Sequence, residues 1–223
     1  MINDIRNFWG NTLRQVTPSK EIKENLPEDT FDFLSTVGLP TVKKLREERE
    51  RYLRATVPPV LLVGDEREAR FILPYFEFTH EKLALTLFQQ HLYITIGNQG
   101  DSIIALKAQS GEVYLINGER PSNYPPEFMF YPLIFLNTTI QASIRFLMVD
   151  LQYRPMLIEP TVKRIYLAGE PKSPMQENAY RSVKKEIHKV IHQIELEFRA
   201  IDERALTEPD SWWRGYLQDL ESF

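Results

Sequence analysis

Tyr93-Ile94-Thr95-Ile96-Gly97-Asn98-Gln99-Gly100-Asp101-Ser102-Ile103-Ile104-Ala105-Leu106, followed by Ser110-Gly111-Glu112-Val113-Tyr114-Leu115-Ile116-Asn117, decides the fold of this chain. The apolar runs are short, rich in β-branched and aromatic residues, and punctuated by glycine. That pattern predicts three short strands joined by two turns. Gly97 and Gly100 can take positive φ at the first bend without steric cost, and Ser110-Gly111 serve the second.

Working outward toward the N-terminus, Ile2, Ile5, Trp9, Leu13 and Val16 recur three or four apart and predict one helix over residues 2–16. Pro27-Glu28-Asp29 opens a second helix with acids at its positive end. Phe31, Leu34 and Val37 form its inner side, Gly38 caps it and Pro40 blocks continuation. Lys43 to Arg54, with six basic and three acidic residues, reads as a solvated helix. Residues 60–63 and 71–73 predict strands, whereas residues 83–88 fit a strand or a buried helical turn equally.

Toward the C-terminus, residues 121–132 hold Pro121, Pro125, Pro126 and Pro132 and read as an irregular, aromatic-rich crossing. Residues 133–136 predict another strand. Asn137-Thr138-Thr139 offer side-chain oxygens to cap a helix lined by Ile140, Ile144, Leu147 and Leu151. Pro155 and Pro160 flank a predicted extended piece, with a further strand at 165–167. Ser173, Pro174 and Gln176 predict a capping box for a long helix whose stripe is Val183, Ile187, Val190, Ile191, Ile194, Phe198 and Ile201. A last helix carries Trp212, Trp213, Tyr216, Leu217 and Leu220. Trp212 and Trp213 are adjacent, so one is expected in the core and the other partly exposed. Helices at both ends with strands between predict a single α+β domain over 1–223, a mostly antiparallel twisted sheet flanked by N- and C-terminal helices.

Composition narrows the function. Lys plus Arg total 27 and Asp plus Glu 31, a formal net charge of −4, which gives no basic face for nucleic acid. There are no cysteines, which excludes disulfides, thiol nucleophiles and cysteine metal sites and fits a cytoplasmic location. No signal peptide is visible, and the apolar stretch near Phe128 to Leu136 is too short to span a membrane. Residues 161–192 carry a net charge of +4 and residues 195–223 one of −5, a polarity that can orient a partner.

Candidate chemistry is thin. His188 and His192 lie four apart, but the intervening residues lack the glutamate of a zinc hydrolase, so no metal is expected. Gly97-x-x-Gly100-Asp101 is followed by a strand pattern instead of the helix N-terminus a phosphate needs, and Asp101 is expected to accept backbone N–H groups in its turn. No Gly-x-Ser-x-Gly elbow occurs. Asp65/Glu66 and Asp202/Glu203 sit in charged segments and read as solvated. The expectation is a binding protein with no cofactor, whose partner contacts fall on Asp101, Glu112, Tyr114, Trp212 and Asp219.

The chain also resembles the SUKH superfamily, in particular its larger bacterial immunity-protein group. Phe33-Leu34-Ser35-Thr36-Val37-Gly38-Leu39-Pro40 looks like the family's helix ending in Gly-Leu-Pro. Gly97 to Leu106 with Gly111-Glu112-Val113-Tyr114 looks like its central sheet signature. Asn137-Thr138-Thr139-Ile140, leading into Phe146-Leu147, resembles its Asn-Ser-Ser-type helix start. Ile201-Asp202 through Ala205, followed by Trp212 or Trp213, resembles its ending. The parts come in family order and are clearest over 30–223. The charged 43–54 segment and the proline-rich crossing depart from the pattern. The resemblance implies a protein that binds and neutralises a cognate toxin, often a nuclease or deaminase, or else an intracellular adaptor or regulator of the same fold. It implies no catalytic residues, so Gly38, Pro40, Gly97, Gly100, Gly111, Asn137 and Trp213 transfer as scaffold positions only. An enzyme is the third alternative, and it requires a pocket of convergent titratable groups.

Overall fold

The glycine-punctuated stretch forms the middle of a six-stranded antiparallel sheet in the computed structural model, which describes residues 2–41, 76–79, 83–117, 131–167 and 173–222, with backbone alone at 158–167 and 222. The strands are β3 (Glu77–Phe78), β4 (Ala84–Phe88), β5 (His91–Gln99), β6 (Ser102–Lys107), β7 (Val113–Ile116) and β8 (Leu133–Asn137). Their order is β3-β5-β6-β7-β8, with β4 also on β5. Residues 84–88 therefore resolve as strand. β5 and β6 turn at Gly100, φ +57°. The β4–β5 hairpin turns on Gln89 and Gln90, both at positive φ, a turn with no glycine to announce it. A bulge between Thr95 and Gly97 shifts the β5–β6 register. Gly97, expected at the bend with positive φ, lies instead within β5 and has no positive φ; its role is to let β3 close in, since a Cβ there would sit 2.2 Å from the Glu77 carbonyl oxygen.

N-terminal to the sheet lie α1 (Ile2–Trp9), α2 (Lys20–Lys23) and α3 (Glu28–Thr36), with a two-stranded ribbon of β1 (Leu13–Arg14) and β2 (Leu39–Pro40). The helix expected over 2–16 stops at Trp9, because Gly10 takes φ +55° and Thr12 Oγ1 donates to the Trp9 carbonyl at 2.5 Å. Leu13 joins β1, and Val16 N donates to Leu34 O at 2.9 Å. The end of α3 is as predicted. Gly38 lies at φ +90°, and a Cβ there would meet the Arg14 carbonyl oxygen at 2.1 Å, so only glycine lets β1 and β2 meet. The β6–β7 turn is fastened to the same N-terminal region. Gln109 N donates to Asn25 O at 2.9 Å, and a Cβ on Gly111 would lie 2.8 Å from Thr30 Oγ1 and 3.2 Å from Pro27 Cγ.

After the sheet come α4 (Ile140–Leu167), α5 (Pro174–Ile201), α6 (Arg204–Thr207) and α7 (Trp212–Ser222). The extended piece and strand expected over 155–167 are instead the second half of α4. Inside a helix, proline loses one N–H bond and crowds the carbonyl four residues back, a local penalty of about 3 kcal/mol that does not forbid the conformation. Pro155 sits on the exposed side of the helix, while Leu151, Arg154 and Leu157 continue the buried side. Tertiary packing of α4 along α5 overrides the local penalty. Ser173 caps α5 as predicted, accepting from Gln176 N at 3.3 Å.

One sheet face meets these helices through Ile94, Ile96, Ile104, Leu106, Val113 and Leu115. The centre of the core is aromatic. Phe146 and Phe198 stack 4.1 Å apart, and Trp213 stands edge-on to both at 5.0 and 5.1 Å. Each such ring contributes about 2–3 kcal/mol by leaving water. The opposite face carries a smaller cluster around Tyr93, Ala105 and Ile116. Helices on one side of an antiparallel sheet make this an α+β fold. The predicted features at 43–54, 60–63, 71–73 and 121–130, with Asp65 and Glu66, lie outside the described residues.

Candidate functional site

Two of the stretches that carried the resemblance, Asn137-Thr138 and Asp202 with Trp213, converge on one buried polar knot. Asn137, at the end of β8, is fully buried. Its Oδ1 accepts from Trp213 Nε1 and from Ser143 Oγ, both at 2.9 Å, and its Nδ2 donates to Asp202 Oδ2 at 3.3 Å. Asp202 Oδ2 also accepts from Thr138 N at 2.7 Å and Thr138 Oγ1 at 3.1 Å. Asp202, expected to be solvated, is therefore buried; at the end of α5 it accepts N–H and O–H groups that would otherwise be stranded. Thr139 is the cap of α4, accepting from Ala142 N at 3.1 Å, which frees Asn137 for the knot. The knot ties β8, α4, α5 and α7 together and is closed to solvent.

A second buried group lies between α4 and α7. Arg154 Nη2 donates to Asp150 Oδ1 at 2.5 Å and Oδ2 at 2.6 Å, and to Tyr216 Oη at 2.5 Å. Burial raises the Tyr216 hydroxyl well above its ordinary pKa, and the Asp150 carboxylate adds to that rise, so Tyr216 stays a neutral donor. Sequence reasoning missed this triad. The Asp150-x-x-x-Arg154 spacing on an amphipathic helix was its only local signal.

An open cluster lies at one end of the sheet. Glu112 Oε2 accepts from Tyr114 Oη and Ser110 Oγ, both at 3.2 Å, and Glu112 Oε1 accepts from Arg204 Nη1. Arg204 Nε donates to Glu208 at 2.7 Å, and its guanidinium covers the Phe135 ring at 4.6 Å. Tyr114 stands edge-on to Phe135 and Tyr93. Partial burial works against the Glu112 charge, but Arg204 with the two hydroxyl donors outweighs it and holds the carboxyl below its ordinary pKa. Burial and the Glu112 charge push the Tyr114 hydroxyl up to about 12.

The residues predicted to contact a partner do not form one patch. Glu112 and Tyr114 are joined by a hydrogen bond. Asp101 is exposed at the β5–β6 tip, the opposite end of β6 from Glu112, and the side-chain hydrogen bond of that turn comes from Asn98 Nδ2 to Gly100 O at 3.5 Å. Trp212 is half-buried, stacked on Tyr216 at 5.2 Å and edge-on to Phe76, while Trp213 is the core residue. Asp219 lies seven residues along α7 on the same face, and partial burial raises its carboxyl. Arg204, Glu208 and Phe135 escaped the sequence reading, because their meeting with β7 depends on a contact 92 residues apart in the chain.

A groove of about 200 Å³ separates α5, α6 and α7, floored by Ile191, Leu206 and Leu217 and rimmed by Glu195, Arg199, Arg214 and Glu221. His188 and His192 are exposed on α5, and His192 faces Glu195 at 3.8 Å. Among the described residues no group of three or more His, Asp or Glu is placed to hold a metal ion, and no helix is long and apolar enough to cross a membrane. Among the described residues, the Asn137 knot and the Asp150–Arg154–Tyr216 triad are buried and tie helices to one another and to the sheet, whereas the Glu112–Arg204–Glu208 cluster is open to solvent.

No curated protein and no solved structure matches the chain. A family model described as SUKH-4 immunity protein matches residues 7–219, nearly the whole length, and the chain therefore belongs to the SUKH-4 immunity protein family.

Proposed function

We propose that the protein neutralises one cognate protein toxin by binding it stoichiometrically and covering its working surface. Family membership supports an immunity role in general and a protein toxin as partner. The observation that carries the finer reading is the Glu112–Arg204–Glu208 cluster. It is a charged, half-exposed array held by a sheet strand and a short helix that burial elsewhere keeps rigid. Rigid placement lowers the ordering cost of association, and an acidic surround speeds encounter with a basic partner. Glu203, Glu208 and Asp210 flank Arg204 in the chain and add negative charge there.

Co-expression with the product of a neighbouring toxin-like reading frame tests this. Survival of the host and a one-to-one complex are expected. Survival without a complex, or a complex that leaves the toxin active, overturns neutralisation by occlusion. An isolated gene with no toxin-like neighbour favours an adaptor of the same fold.

A further inference from the structure

The two long edges of the sheet are finished differently. At β8 the edge is covered: Phe135 forms a parallel bridge with Ser211, Arg204 lies over the Phe135 ring, and α6 and α7 pack on the strand. At β4 nothing among the described residues covers the edge. β4 reads Ala84-Leu85-Thr86-Leu87-Phe88, with no charge and no proline, and Leu87 is 74% exposed. Edge strands ordinarily carry lysine, proline or a bulge to discourage pairing with another chain, and this one carries none of them.

Its hydrogen-bonding phase follows from the turn. A two-residue loop at Gln89-Gln90 makes Phe88 and His91 a hydrogen-bonded pair, so Thr86 pairs with Tyr93 and Ala84 with Thr95 in the same way. Leu92 O points the other way and accepts from Ala108 N at 2.9 Å, which fixes the alternation. The N–H and C=O groups of Leu85 and Leu87 therefore point away from β5, toward the open edge.

We infer that β4 is the contact surface for a second copy of this chain, the two strands meeting antiparallel about a two-fold axis at Thr86. The match is one of phase. With the axis at Thr86, Leu85 of each copy falls opposite Leu87 of the other, and these are the two residues with outward backbone groups. Four main-chain hydrogen bonds close reciprocally, as an isologous interface requires. Leu85 and Leu87 share one sheet face, so the pairing also covers the exposed Leu87 side chain with an apolar neighbour. The strand is neutral along its length, so two copies meet without like charges opposed. A single pair of five-residue strands is a small contact, so a weak, reversible dimer is expected.

Sedimentation equilibrium of the full chain, with two variants, tests the inference. The wild type associates to a dimer reversibly, and Leu87→Lys weakens association about tenfold, since each substitution acts twice across the axis. Leu87 is exposed, so the variant keeps the wild-type melting temperature. The chain has no cysteine, so Thr86→Cys introduces a single thiol. Thr86 of the two copies forms the close, non-hydrogen-bonded pair, with Cα atoms about 4.5 Å apart and within disulfide reach. Under oxidised glutathione it cross-links faster than Asp101→Cys, a thiol on the exposed turn beyond β5. A monomer up to about 1 mM, a dimer indifferent to Leu87→Lys, or equal cross-linking of the two cysteine variants overturns the proposal. So does protection of the Thr86→Cys thiol by a captured toxin while the free protein remains a monomer, because the edge then belongs to a different partner.

Discussion

Arg154 and Arg204 each hold carboxylates and each lie near an aromatic ring, but in opposite surroundings. The Arg154 side chain is fully buried against Asp150 and Tyr216, and among the described residues its Nε and Nη1 have no hydrogen-bond partner. The Arg204 side chain is 45% exposed and bridges Glu112 and Glu208 over Phe135. In the interior the attraction is strong, but it offsets a large desolvation cost, and no partner can be exchanged. At the surface, water and salt screen the attraction, so it contributes little to folding and can be traded for a charge on another protein. The difference separates two duties: the first arginine fixes how α4 and α7 are placed, and the second is available for recognition.

The largest effect expected from this contrast is at Asp150. Asp150→Ala leaves a buried guanidinium uncompensated and should cost about 3–5 kcal/mol in denaturant unfolding. Replacing both partners, Asp150→Leu with Arg154→Met, should recover most of that loss. A single-variant loss under about 1 kcal/mol would erase the distinction between the two sites. Next is Asn137→Ala, which strands Trp213 Nε1, Ser143 Oγ and part of Asp202, with an expected loss of about 2–3 kcal/mol by the same measurement. A neutral result would remove the knot from the scaffold.

Arg204→Ala sharpens the other half. Stability should fall by less than about 1 kcal/mol, while affinity for a captured toxin, read by titration calorimetry, drops about tenfold and loses salt dependence. Unchanged affinity would place recognition elsewhere, with the α5–α7 groove the next surface to vary. The smallest effect is pH-linked. The folded Glu112 carboxyl lies below its ordinary pKa. Its stabilisation is therefore present above the unfolded value, about 4.3, and is lost as pH falls through the folded value. Glu112→Gln should be slightly less stable than wild type at pH 7 and converge on it below about pH 4. A gap that widens in acid would contradict the ion pair.

The sequence reading succeeded where the signal was local. The β5–β6 bend, the Gly38 stop, the Ser173 cap and the division of labour between Trp212 and Trp213 all follow from residues a few positions apart. It failed where distant packing decided the outcome. Pro155 and Pro160 are breakers on any local rule, yet α4 runs through both because α5 lies alongside. Asp202 looked solvated beside Glu203, yet its acceptors serve Asn137 and Thr138, some 65 residues away. The residues predicted to meet a partner show the same limit. Glu112 and Tyr114 are neighbours in the fold, but nothing in the order of residues reveals that α6 brings Arg204 to them, or that Asp101 lies at the β5–β6 turn, the other end of the sheet.

The fastening of the β6–β7 turn has an evolutionary corollary. Thr30 and Pro27 form the shelf on which Gly111 rests, one residue before Glu112. Exchanges on that shelf would tilt the acid relative to Arg204 while every contacting side chain stayed the same. On the function proposed above, specificity for a diverging toxin drifts through N-terminal residues that lie outside the proposed contact.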